Sequence, residues 1–185
     1  IIEFACVPFD AKTRKIEDEL SFHHFVKCPS FEELKPNLDK WVVENNETLI
    51  NKAHTTGLEI DSFKKSFEAY LDSPKFKEYF KGQKIVLFGK SLNAIDLPFL
   101  NRDLGWDWMR EKFHFRVLDL SSFCFGMMDY GVLPDGMDSG TKLMQYLNMG
   151  EVQHTALEDA VNTAKMYFRS EEHTSELQSP CNLVC

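Results

Sequence analysis

Three side chains in this sequence have the types and spacing to share one piece of chemistry. His154 stands just ahead of an amphipathic stretch that begins near Thr155, and Asp159 follows it by five residues. An imidazole there can take a proton at neutral pH. A carboxylate beside it can ligate a hard cation. The third side chain is Asp96, in Gly89-Lys90-Ser91-Leu92-Asn93-Ala94-Ile95-Asp96-Leu97-Pro98. It lies beyond residues 85–88, an all-apolar run that reads as a strand buried on both faces. Loops after the carboxyl ends of such strands are where α/β proteins place their chemistry. Each residue also has a plainer reading. Asp96 serves equally well as an N-cap ahead of Pro98, and periodicity alone favours a capping His154 and a solvated Asp159.

The elements that must position these residues follow from the apolar pattern. Residues 1–7 and 20–26 read as two strands that pair as a hairpin around a turn near 10–14. His23 and His24 are adjacent in the second strand, so they point to opposite faces and make a poor shared metal site. Residues 30–55 form a polar, partly helical crossing in which Trp41, Val42, Leu49 and Ile50 could supply the apolar face. Asp61 reads as the N-cap of a helix whose buried face is Phe63, Phe67, Tyr70 and Leu71. Ser73-Pro74 ends it. Residues 113–120 read as another strand, with Asp119 either ligand or cap. Helices are expected from Ser121 towards Gly131, over 141–148, and from about Thr155.

Composition narrows the classes. At 185 residues, with 43% hydrophobic and 27% charged, the chain suits one soluble domain. A net charge of −8 argues against sequence-blind gripping of a duplex, which needs a basic face. It leaves room for a carboxylate site whose cations reverse the local sign. Five cysteines without a C-x-x-C pair read as reduced thiols of an intracellular, cytoplasmic protein. No apolar run is long enough for a membrane span.

Four motifs in order resemble the DEDDh, DnaQ-like exonucleases, the group of oligoribonuclease and ribonuclease T. Ile1-Ile2-Glu3-Phe4-Ala5 looks like their second strand. Residues 89–100 look like the second exonuclease motif, and 113–121 are similar to the oligoribonuclease strand F-H-Y-R-x-x-D-x-S. His154 to Asp159 fits H-x4-D. The resemblance implies an α/β fold with an RNase H-like mixed β-sheet flanked by helices. It implies metal-ligating Asp96 and Asp159, a general base at His154, and two Mg²⁺ or Mn²⁺ ions. The expected activity is release of nucleoside 5′-monophosphates from the 3′ ends of single-stranded DNA or RNA. Such proteins are frequently homodimers, and the sequence leaves the assembly open.

There are departures from that pattern. The first motif, D-x-E on a central first strand, is expected before Ile1. The sheet should then lack that strand, and the chain alone should be inactive. Ser91 stands where relatives often carry Asn, and Asp119 matches a recurrent aspartate that is not a metal ligand. Lys52 and His54 stand in the acidic positions of a decoy resembling D-x-E-T-T-G-L. Residues 1–168 are read as the exonuclease domain. Residues 169–185 are read as a non-native, disordered tail, because Arg169 to Ser179 looks like a translated sequencing adapter. Two alternatives are kept: a catalytically dead exonuclease-like module that binds nucleic acid or protein, and an RNase H-like domain of another nuclease type.

Overall fold

The computed structural model describes residues 1–150 and 155–176, with backbone alone for 171–176. It is a mixed α/β structure. Strand β1 (Glu3–Cys6) pairs antiparallel with β4 (Phe22–Phe25), and the short hairpin of β2 (Phe9–Asp10) and β3 (Lys15–Ile16) joins them. The polar crossing contains α1 (Phe31–Leu34), α2 (Lys40–Asn45) and α3 (Glu47–Thr56), followed by α4 (Ile60–Leu71) and α5 (Pro74–Phe80). Strand β5 (Phe88–Gly89) then leads to α6 (Asp96–Leu104) and α7 (Trp106–Lys112). Strand β6 (Leu118–Asp119) is parallel to β5 and runs into α8 (Leu120–Asp129). Helices α9 (Gly140–Tyr146) and α10 (Ala156–Glu176) complete the described chain. No helix among the described residues is long and apolar enough to cross a membrane.

The apolar residues collect into two cores. In the first, alternate side chains of the β1–β4 hairpin meet the buried stripe of α4. Phe4 and Phe67 ring centroids are 5.0 Å apart, and Phe4 and Phe63 are 5.5 Å apart. Leu100 and Leu104 of α6, Met109 of α7 and Phe113 close this core. In the second, Leu120, Cys124 and Met127 of α8 pack with Leu143 and Met144 of α9 and Met166 of α10. Phe9 touches the rings of Phe88 and Phe168, at 5.2 and 5.5 Å, and so ties the hairpin to the second core.

Several expectations are corrected. Residues 85–88 do not form a strand buried on both faces. Only Phe88 and Gly89 ladder with β6, Ile85 makes a lone bridge to Phe113, and Val86 is exposed. Residues 113–120 are shortened in the same way. Trp41 is 58% exposed, so Ile50 and not Trp41 anchors the crossing. Glu59 precedes the first turn of α4, with Asp61 inside that turn. Ser73 caps a new helix, its hydroxyl accepting from the Phe76 amide. The final helix does not stop at Phe168. No Gly or Pro interrupts it through Glu176, Arg169 donates to the Leu147 carbonyl at 2.6 Å, and Ser170 is fully buried.

Burial fixes which residues carry stability. Phe63→Ala, at a fully buried ring, should cost about 3–5 kcal/mol in urea unfolding. Tyr130→Ala, at an 88% exposed ring, should cost no more than about 0.5 kcal/mol. Equal costs would contradict the assignment of the first core.

Candidate functional site

A cavity of about 590 Å³ lies between the two cores. One side is formed by β1 and the residues after it, the other by β5 and the loop leading to α6. Phe67, Leu100, Met109 and Phe113 reach it from the first core, and Met144 and Met166 from the second. β1 and β5 belong to separate two-stranded sheets, with no ladder between them among the described residues.

Asp96 and Asp159 both line this cavity. Asp96 is the first residue of α6, and Asp159 lies in the first turn of α10. Thr155 holds the start of α10: its hydroxyl accepts from the Glu158 amide at 3.4 Å and donates to the Glu158 carboxylate at 2.6 Å. The amphipathic pattern begins where the helix does. His154 lies outside the described residues.

The loop carrying Asp96 is held by Asp119. That carboxylate is buried and accepts four backbone amides. Two, from Ser121 and Ser122 at 2.9 and 3.2 Å, make it the N-cap of α8. The other two, from Ser91 and Asn93 at 3.2 and 3.3 Å, clamp the β5–α6 loop. Ser91 takes a φ of 55°, and its hydroxyl lies 2.9 Å from that of Ser121. Asp119 is thus a positioning residue that joins the β5–α6 loop to the start of α8. Ser91, placed where an Asn was expected, is held by backbone geometry and this clamp.

Charge in the cavity is mostly acidic. Glu3 also lines it, but its carboxylate is held 2.7 Å from the His23 ring. Lys90 is the one cation among the described lining residues. Sequence reading passed over it, although it directly follows β5, where a charge beyond a strand's carboxyl end is a recognisable signal. Asp96 is exposed and lines the cavity, whose walls strip part of the solvent from its carboxylate. That desolvation, opposed by its own backbone amide and reinforced by the nearby Asp119 charge, raises its carboxyl above the ordinary range. Burial pushes Cys6 up to about 12 and Cys124 up to about 11, so both thiols are inert at neutral pH.

The decoy residues take no part. His54 sits 2.9 Å from the Cys28 carbonyl, and Lys52 lies over the Phe25 ring at 4.5 Å. His23 and His24 fall on opposite faces of β4: His23 meets Glu3, and His24 packs against Phe22 at 4.7 Å between ring centroids. For a hard divalent cation, Asp96 and Asp159 offer the right donor type. Among the described residues no group of three or more His, Cys, Asp or Glu is placed to hold a metal. No known family model matches the sequence, and no curated protein matches it.

A carboxyl whose pKa is raised on folding binds its proton more tightly in the native state. Its contribution to stability is present below the unfolded pKa and lost as pH rises through the folded one. Asp96→Asn removes that loss. The variant should melt above the parent near pH 7, and the gap should close as pH falls towards about 4, the unfolded carboxyl range. A variant that melts lower at pH 7 would show that the Asp96 charge stabilises the fold.

Proposed function

We propose that this chain carries the core of a DEDDh-type 3′–5′ exonuclease on an RNase H-like sheet, acting on single-stranded DNA or RNA 3′ ends. The observation that supports it best is that Asp96 and Asp159, far apart in sequence, line one cavity beside the ends of β1 and β5. The antiparallel β1–β4 pair, the parallel β5–β6 pair and the helices between them are compatible with such a sheet.

In this reading Asp96 and Asp159 each give carboxylate oxygen to Mg²⁺ or Mn²⁺. Bound there, such ions would supply Lewis acidity for the attacking water and for the leaving 3′ oxygen. His154 takes the water's proton at a ring nitrogen. Lys90 supplies a positive charge for a phosphate on the otherwise acidic cavity wall. Asp119 keeps the Asp96 loop in place and touches no substrate. Two carboxylates are too few for a closed site around a hard cation. That same shortage favours a second reading, a binding module that has lost its chemistry.

Titration with Mn²⁺, read by paramagnetic broadening of amide signals, separates the two. The exonuclease reading expects residues around 96 and 159 to broaden together. Asp159→Asn should suppress the effect at both. With its site incomplete, the chain should leave a labelled single-stranded oligonucleotide intact. Oligonucleotide binding without joint broadening would favour the module, and broadening at one aspartate alone would overturn the shared cation site.

A further inference from the structure

Lys90 is half-buried and lines the cavity directly beyond β5. Among the described residues it forms no ion pair and no hydrogen bond, although Glu3, Asp96 and Asp159 line the same cavity. Its aliphatic stem runs across Gly140. A Cβ added at Gly140 would stand 2.7 Å from the Lys90 Cε and 3.0 Å from its Cδ, closer than unbonded carbons approach. The bare backbone at Gly140 is therefore the track along which Lys90 extends. Helix α10 packs against β5, and its Asn162 and Thr163 also line the cavity. Both are half-buried, and neither side chain makes a hydrogen bond among the described residues. Polar groups withdrawn from water are normally paired. Here one cation and two neutral donors without partners open onto a single volume.

We infer that Lys90, Asn162 and Thr163 form a phosphate-monoester site, and that Gly140 keeps Lys90 extended into it. The ammonium group supplies the charge, and the Asn162 amide and Thr163 hydroxyl supply neutral donors. Three donor groups match the three terminal oxygens of a monoester. A diester has only two. Of the acids around the cavity, Glu3 is held by His23. Asp159 lies three and four residues before Asn162 and Thr163, on their face of α10. Its charge opposes a phosphate dianion, so the site is weak alone and strengthens when that charge is removed. The same chemistry has two sources, the free phosphate ion and a nucleoside 5′-monophosphate. The inference deepens the part given to Lys90 in the exonuclease reading. It is tested without divalent cations, so either can fail alone.

The test uses the full chain in a chelator, titrated with inorganic phosphate and read by backbone amide shifts. Saturable shifts should centre on residues 90, 140, 162 and 163, with a Kd on the order of millimolar. Lys90→Met keeps the stem and loses the charge, and should bind at least about tenfold more weakly. Gly140→Ala displaces only the flexible end of Lys90. It should melt with the parent and bind at least about threefold more weakly. Asp159→Asn should bind at least about twofold more tightly. Dimethyl phosphate, a diester, should bind at least about tenfold more weakly than inorganic phosphate. Adenosine 5′-monophosphate separates the sources: tighter binding than inorganic phosphate names a nucleotide, equal binding names the free ion, and both support the site. Unchanged affinity in Lys90→Met, or equal affinity for dimethyl phosphate, would overturn it. So would the lack of saturable shifts at tens of millimolar phosphate.

Discussion

Backbone amides and carbonyls turned into a protein interior need partners, and ladder phase turns those of Glu3 and Ala5 on β1, and of Phe88 on β5, away from their paired strands. Everything else is built around that constraint. The hairpin, α4, α6 and α7 close one core, while α8, α9 and α10 close another. The cavity between them is large. At about 590 Å³ and partly open to solvent, it is lined by apolar side chains together with the carboxylates of Asp96 and Asp159.

The carboxylates sit where two helices begin. Asp96 opens α6, and Asp159 lies in the first turn of α10. Helix N-termini favour negative charge by about 0.3–1 kcal/mol, which offsets part of the desolvation at Asp96. The positions are held by polar contacts away from the cavity centre. Asp119 joins the Asp96 loop to the start of α8, and Thr155 closes the first turn of α10 against Glu158. The clamp at Asp119 and the cap at Thr155 fix two separate helix starts whose aspartates, Asp96 and Asp159, both line the cavity.

Much of this arrangement was legible from spacing. The hairpin of β1 and β4, the stripe Phe63, Phe67 and Leu71, and the start of α10 near Thr155 follow from period, caps and turn residues, whereas spacing left Asp119 open as ligand or cap. The short strands were not legible. Residues 85–88 are apolar enough for a long buried strand, yet Val86 is exposed and only Phe88 and Gly89 ladder. A strand laddered on one side alone is less constrained, and an apolar run does not report how many of its residues will pair. The continuation of α10 was hidden for a different reason: residues 169–176 lose the apolar period but contain no breaker, and Arg169 anchors to the carbonyl of Leu147 through a contact that only the fold creates. Lys90 carried a signal in its place just beyond β5, and the cavity adds that it stands among acids.

The Val26 amide donates to the Ile2 carbonyl, so Phe4 and Cys6 turn their backbone groups to β4 while Glu3 and Ala5 turn theirs away. Residue-resolved amide hydrogen exchange reads this phase and that of β5. Phe4 and Cys6 should be protected, with Glu3 and Ala5 exchanging at least about tenfold faster and a fast Phe88 amide on β5. Uniform protection of all five would mean that the two edges already have backbone partners, and would contradict the account.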